Sequence, residues 1–366
     1  MTVYMVALHT LSPLHIGEGR ELRQGFDFVV YGNRTYRLDE DAVLEAKADR
    51  LLPKRDGTYP LPGELLDAAD FRDMRLFRYS IPGHPRSERA DARIQAFIKD
   101  VHDRPYIPGS SLKGALRTAL AWTGWTEIKP RLERSSIGGN RAWAGQKLER
   151  KLFGPDPNHD LLRALQVSDL SGPQKPGEGL ALVNAQVLTL RSAGSPIELE
   201  ALVGDVVFQG SLTVDETLFS EQAERVLGFG NRRHWLDELL PRLRKHSQAR
   251  INRLAEWFER AEGAQAVANF YRNLARVSLG ENQALAQIGW GTGWDGKTFW
   301  THLQREPQLF EQLVHDFRLA RAGRTSPPRK PGDPFPRSRR AAMTLKDGVP
   351  RAAAPFGWVL LEMKEK

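Results

Sequence analysis

Three segments of this chain combine residue types that could meet a phosphate. In the first, Pro108-Gly109-Ser110-Ser111-Leu112-Lys113-Gly114-Ala115-Leu116-Arg117, a turn runs into a helix. Ser110 or Ser111 is the natural N-cap. Free backbone N–H groups at a helix start, with Lys113 and Arg117 one turn apart beside them, suit an anion. The same residues equally describe a capped amphipathic helix with solvated cations, and both readings stand. In the second segment, Gly289-Trp290-Gly291-Thr292-Gly293-Trp294-Asp295-Gly296-Lys297, glycines let a ligand come close to the backbone. Trp290 and Trp294 could stack on a base while Lys297 meets a phosphate, or both indoles could plug the core under a tight turn. Residues 291–296 match G-x-G-x-x-G, yet only about 70 residues follow, so a dinucleotide fold has no second half.

The third segment is Arg337-Ser338-Arg339-Arg340. Residues 321–351 hold nine basic side chains (Arg321, Arg324, Arg329, Lys330, Arg337, Arg339, Arg340, Lys346, Arg351) against Asp333 and Asp347, a net +7 out of +8 for the whole chain. A localised basic stripe is a stronger nucleic-acid signal than global charge. His15, in the loop Ser12-Pro13-Leu14-His15-Ile16-Gly17-Glu18-Gly19, is the best-placed general acid/base, or else a structural hydrogen-bonder.

Other chemistries find no support. The 366 residues contain no cysteine, which excludes thiolate nucleophiles, zinc fingers and disulfide frameworks. No H-x-x-x-H, G-x-S-x-G or G-x-x-x-x-G-K-[ST] occurs. The expectation is therefore no metal and no cofactor, with His15 left as the one candidate for acid/base chemistry. Residues 1–10 lack a basic region and a cleavage site, and no apolar run reaches 18 residues, so neither a signal peptide nor a membrane span is expected and the expected location is the cytoplasm.

The elements that must position these residues are mixed. Strands are expected at 3–11, 25–30, 165–170, 182–190, 285–288 and 356–363. A Gly204-Asp205 turn predicts a hairpin between 197–203 and 206–214. A helix should open near Leu38 with acidic first-turn residues, and 297–303 should be helical. Period 3.6 predicts helices at 242–261 and 267–277, joined near Gly263, the first with a solvated face of Arg242, Arg244, Lys245, Arg250 and Arg253. Residues 76–105 show no period and suggest an insertion; 321–336 suggest an irregular loop. Strands and helices without regular alternation argue α+β. The division expected is 1–195 for an N-terminal unit and 196–366 for a helical C-terminal one.

Several segments together resemble the CRISPR-associated RAMP family. Residues 11–19 are similar to its T-P-[VL]-H-I-G-x-G loop. Residues 106–117 resemble its [YF]-I-P-G-S-S-L-K-G-x-[LI]-R signature, the most specific of the set. Residues 289–294 resemble its C-terminal glycine-rich segment, and 335–340 and 355–359 its P-[KR]-[TS]-R and [PL]-x-G-W-[VI] tail. The resemblance implies an RRM-like (ferredoxin-like) core with insertions, as one unit or two in tandem. It implies binding of guide RNA backbone through the loops and docking on a repeating backbone subunit. The length and the strand Asp27-Phe28-Val29-Val30-Tyr31 look most like the subunit capping the crRNA 3′ end in the type III-A Csm complex. That subunit is non-catalytic and supports crRNA maturation with host ribonucleases. The sibling that cuts target RNA has an aspartate after its first strand, where this chain offers only Glu18. The implied partners are crRNA, target RNA, other Csm subunits and host ribonucleases. The implied RNA contacts are His15, Gly17, Gly19, Ser110, Ser111, Lys113, Arg117, Gly289, Trp290, Gly291, Gly293, Trp294, Lys297, Arg337, Arg339 and Arg340. The rival readings are a metal-independent crRNA-processing endoribonuclease using His15, and a terminal subunit of a type III-B complex.

Overall fold

A computed structural model describes residues 1–87, 92–298, 300–320 and 329–366. In chain order come β1 (Thr2–Thr10), β2 (Gly17–Arg23), β3 (Phe28–Tyr31), β4 (Arg34–Leu38), α1 (Glu40–Ala46), β5 (Phe77–Pro82), β6 (Arg93–Phe97), β7 (Tyr106–Ile107) and α2 (Gly109–Ile128). There follow α3 (Arg134–Ile137), α4 (Gln146–Phe153), β8 (Leu165–Val167), β9 (Leu170–Ser171), β10 (Leu180–Leu188), β11 (Ala193–Leu202) and β12 (Val207–Val214). The last part holds α5 (Glu221–Leu227), α6 (His234–Asp237), α7 (Leu239–Glu259), α8 (Gln265–Leu274), β13 (Gln283–Gln287), α9 (Trp300–Leu303), α10 (Pro307–Asp316), β14 (Arg339–Lys346), β15 (Val349–Ala354) and β16 (Trp358–Glu365). The class is α+β, as the element pattern predicts.

Two large sheets carry the site. The first has the order β13-β16-β1-β12-β9-β7, with β8 also on β12; the second has the order β15-β14-β10-β11-β6-β2. Strand β1 lies between β12 and β16, antiparallel to both, and buries Val6, Leu8 and Thr10 at alternate positions. A small sheet, β3-β4-β5, has its own apolar cluster around Tyr36, Leu38, Val43 and Phe77. Helix α2 buries Leu112, Leu116, Ala119 and Leu120, the stripe read from the sequence. Helix α7 packs on α8 and β13. No described helix is long and apolar enough to cross a membrane.

The structure corrects five local expectations. First, β11 and β12 do not form a hairpin: β11 pairs with β10 and β6, and β12 with β1, β8 and β9. The Gly204-Asp205 turn passes the chain from one sheet to the other. It is held there by Thr10, whose Oγ1 donates to the Gly204 carbonyl at 2.6 Å and accepts from Val206 N–H at 2.9 Å. Second, residues 76–105 do carry a strand period. They contribute β5 and β6 and bury Tyr79, Ile81, Ile94 and Phe97, though 88–91 lie outside the described residues. Third, the strand expected at 25–30 is β3, which starts only at Phe28 because Gly25 to Asp27 form a turn, and β2 precedes it as a strand the sequence did not signal.

Fourth, neither Ser110 nor Ser111 caps α2. The helix begins at Gly109 after Pro108, and the Gly109 N–H is taken by the Asp169 carboxylate at 2.8 Å. A Cβ at Gly109 would stand 2.3 Å from the Val167 carbonyl oxygen, so only glycine lets the helix start so close to the 165–171 segment. Fifth, the basic face of α7 is not solvated throughout. Arg242 and Arg250 are buried, and the Arg244 Nε donates to the Gln283 carbonyl at 2.7 Å.

Candidate functional site

The motif segments converge through backbone contacts. The His15 carbonyl accepts from Trp290 N–H at 2.8 Å, and the Pro13 carbonyl from Gly357 N–H at 2.8 Å. Ser12 Oγ accepts from Trp358 N–H at 3.0 Å, and Ile288 N–H donates to the Gly357 carbonyl at 2.8 Å. The loop after β1, the loop after β13 and the turn before β16 are thus one structure. Gly357, where a Cβ would stand 2.1 Å from the Ile288 carbonyl oxygen, and Gly289 are where they meet tightly. The φ of Gly289 is +72°, and a Cβ there would stand 2.5 Å from the His15 carbonyl oxygen.

Against this knot lies the start of α2. Between them opens a cleft of about 400 Å³ whose lining includes Ser110, Ser111, Gly114, Arg117, Thr118, Glu149, Gly289, Thr292, Lys297 and Thr298. Hydroxyls, glycine backbone and an exposed lysine suit a sugar–phosphate chain. Two of the predicted cations, however, are committed to the protein. Lys113 Nζ donates to the Leu165 carbonyl at 2.7 Å, and burial lowers its pKa. Arg117 pairs with Glu149 at 2.9 Å and Asp160 at 2.8 Å while stacking on Phe153. With Asp169 on the first N–H of α2, the anion chemistry read into residues 109–117 is largely satisfied from within. Lys297 and the serine hydroxyls remain available.

Two buried ionic networks hold the cleft. Asp295, 4% exposed, lies 2.9 Å from Arg339 and 3.9 Å from Arg250. Arg250 also donates to the Thr292 carbonyl at 3.1 Å and to Gln287 Oε1. These contacts fasten the glycine-rich loop to α7 and β14. Below the first loop, Glu200 accepts from Tyr79 Oη at 2.7 Å, Phe97 N–H at 2.9 Å and Lys99 Nζ at 2.6 Å. Burial and the Glu200 charge push the Tyr79 hydroxyl up, so it remains a donor.

His15 belongs to this lower network. Its ring is 3% exposed, and Nδ1–H donates to the Glu200 carbonyl at 2.6 Å. Burial lowers its pKa, as it does for His302, and it brings His246 down to about 3, where Arg250, Arg253 and His302 add to the effect. All three rings are therefore neutral when folded. Because the folded pKa lies below the unfolded value of about 6.5, the unfolded chain binds more protons, and stability falls as pH drops through 6.5. For His246 alone the loss between pH 6.5 and 5 is about 2 kcal/mol. Urea unfolding at pH 7.5 and 5.0 should show that drop, and His246→Leu should flatten it. An unchanged pH dependence in His246→Leu would contradict the assignment.

The other predicted residues are dispersed around the cleft. Trp290 packs edge-on against Phe356, and Arg340 lies over its ring 4.6 Å from the centroid, exposed to solvent. Trp294 and Lys297 also line a neighbouring pocket of about 370 Å³. Gly291 and Gly293 shape the loop with positive φ, and Arg337 is half-buried before β14. Gly17 and Gly19 lie on exposed β2 and do not line the cleft. The +7 stripe is not a continuous surface. Arg321 and Arg324 lie outside the described residues, Arg329 is paired with Glu311 at 2.6 Å, and Arg339 is buried. Sequence reading missed Glu200, Lys99, Tyr79, Asp169 and Asp295. A carboxylate between Leu199 and Ala201 in an apolar strand was the available signal for Glu200.

A family model described as the RAMP superfamily matches residues 7–294. A Streptococcus thermophilus protein, "CRISPR system Cms protein Csm5", is 24% identical over 257 residues, covering 62% of this chain and 69% of that protein. A chain of the structure described as "Cryo-EM structure of Csm-crRNA-target RNA ternary complex in type III-A CRISPR-Cas system" superposes with a TM-score of 0.71 at 25% identity, covering 99% of this chain and 100% of that one. The "Crystal structure of T.onnurineus Csm5" shares the fold, with a TM-score of 0.60 at 22% identity over 96% of this chain and 99% of that one.

Proposed function

The chain belongs to the RAMP superfamily, and from that premise we propose that it is a non-catalytic RNA-binding subunit that caps the crRNA 3′ end in a type III-A Csm complex. It supports crRNA maturation and complex assembly in antiviral defence, in the cytoplasm. Its partners are crRNA, target RNA, the repeating backbone subunit and other Csm subunits, and host ribonucleases. The core is RRM-like, in one or two units dividing near residue 195.

The observation that carries this reading is the end-to-end likeness to a chain of a Csm–crRNA–target RNA complex. The cleft adds to it, because its glycine-rich loop and hydroxyls suit an RNA backbone. The non-catalytic role is supported by His15, whose ring is buried and neutral beneath Gly17 rather than presented to a substrate. Base pairing supplies sequence recognition, so phosphate contacts suffice. Lys297 and Arg340 are better probes than Lys113 and Arg117, which hold the protein together. Lys297→Glu with Arg340→Glu is expected to reduce crRNA in the purified complex, broaden its 3′ length distribution and lower the log–log salt slope by about 0.7 per lost contact. Unchanged loading, length and slope would overturn the proposal.

A further inference from the structure

The far end of α2 carries a second cleft, of about 610 Å³, lined by Lys129, Arg131, Arg150, Lys151, Arg232 and His159 and by no Asp or Glu. Arg131 pairs with Glu133 at 2.6 Å and His159 with Asp156 at 2.8 Å. Among the described residues Lys129, Arg150, Lys151 and Arg232 form no ion pair, and Arg232 Nε is buried without an acceptor. Lysine and arginine at helix C-termini ordinarily offset the carbonyl ends, and α2, α4 and α5 all end here. Each end carries about −0.5 charge, so three ends offset about one and a half of these four cations and leave roughly two in excess. An adjoining cleft shares Lys129, Pro130 and Arg131 and adds Arg305 against the single acid Glu306.

This basic surface is not isolated from the first cleft. Consecutive residues of α4 face the two, Glu149 the first and Arg150 the second. Along α2, Ser111 and Lys129 are about 27 Å apart at 1.5 Å per residue. A polyanion leaving the first cleft would have to run about that far to reach the second.

We propose that the second cleft binds the phosphates of single-stranded RNA continuing out of the first. This rests on the RNA-binding reading above. Neighbouring clefts joined by one helix favour one continuous nucleic-acid strand over an acidic protein segment, which would have no reason to follow the first cleft.

The test uses the purified full-length chain and labelled oligouridylates of ~4 and ~24 nucleotides, at the bottom of and above the span of a single site. The longer RNA should bind at least tenfold more tightly than the shorter one. Arg150→Glu with Lys151→Glu should remove that gain, lower the salt slope for the longer RNA by about 1.4, and leave the shorter RNA unaffected. These exposed side chains can be reversed without disturbing the core, and a circular dichroism melt checks that. If the variant keeps the length-dependent gain, the second cleft is not an RNA site and the function proposed above still stands. If the wild-type chain binds neither RNA, the RNA-binding reading itself fails. Polyglutamate binding that is lost in the variant, with RNA binding intact, would assign the surface to an acidic protein and overturn the proposal.

Discussion

Glu200→Ala is expected to destabilise the protein by about 3–5 kcal/mol, the cost of leaving one member of a buried ion pair uncompensated. Glu200 and its partner Lys99 have side chains only 2% and 7% exposed. Without the carboxylate, the Lys99 ammonium keeps only the Phe97 carbonyl as a hydrogen-bond acceptor. The Tyr79 hydroxyl and the Phe97 N–H lose the Glu200 carboxylate that accepts from them. Each orphaned donor adds its own desolvation cost. Those donors come from β5, β6 and the segment after β6, so the loss is felt in two sheets at once. Against a typical total stability of about 5–15 kcal/mol, such a change should be plain in the urea midpoint and in soluble yield. Glu200→Leu with Lys99→Met, which removes both charges, should recover much of the loss. A Glu200→Ala variant within about 0.5 kcal/mol of wild type would show that the network is not a structural keystone.

Local periodicity made the scaffold legible. The stripe of Leu112, Leu116, Ala119 and Leu120 and the alternation in β1 each state which face is buried. What stayed hidden was set by partners distant in sequence. Residues 76–105 look polar because β5 and β6 alternate charged and apolar residues, and Arg78 and Arg93 dominate the composition although Tyr79, Ile81 and Ile94 are buried. The Gly204-Asp205 turn has hairpin chemistry, yet Thr10, 194 residues away from Gly204, decides that the chain changes sheet.

The site was legible in part for the same reason. Its loops carry glycine patterns that read directly as close backbone approach, and the structure knots them together. Charge was the poorer guide. Lys113, Arg117, Arg250, Arg329 and Arg339 all look like solvated cations by position, but each has its acceptor in a segment remote in sequence: Leu165, Asp160, Thr292, Glu311 and Asp295. Counting arginines cannot distinguish an ion pair that fixes a loop from one free to meet a phosphate. In this chain three of the six predicted contact cations, Lys113, Arg117 and Arg339, turned out to be of the first kind.

That distinction gives the second large effect its form. Asp295→Ala should leave the Arg339 and Arg250 guanidiniums, both more than nine-tenths buried, without their carboxylate. The expected loss is about 3–5 kcal/mol, comparable to Glu200→Ala, but its consequence is different in kind. Asp295 follows the glycines directly and ties them to β14 and α7, so the variant should free the 289–296 loop while β1 and its neighbours remain paired. Hydrogen exchange should accelerate at Trp290 and Thr292 more than in β1. The bound crRNA of the purified complex should fall together with that protection. Arg339→Ala and the double variant complete a cycle, and a coupling energy well above 0.5 kcal/mol is expected for the pair. Additive single effects, or exchange that rises uniformly across both sheets, would mean that Asp295 supports the core at large and does not hold the loop in particular.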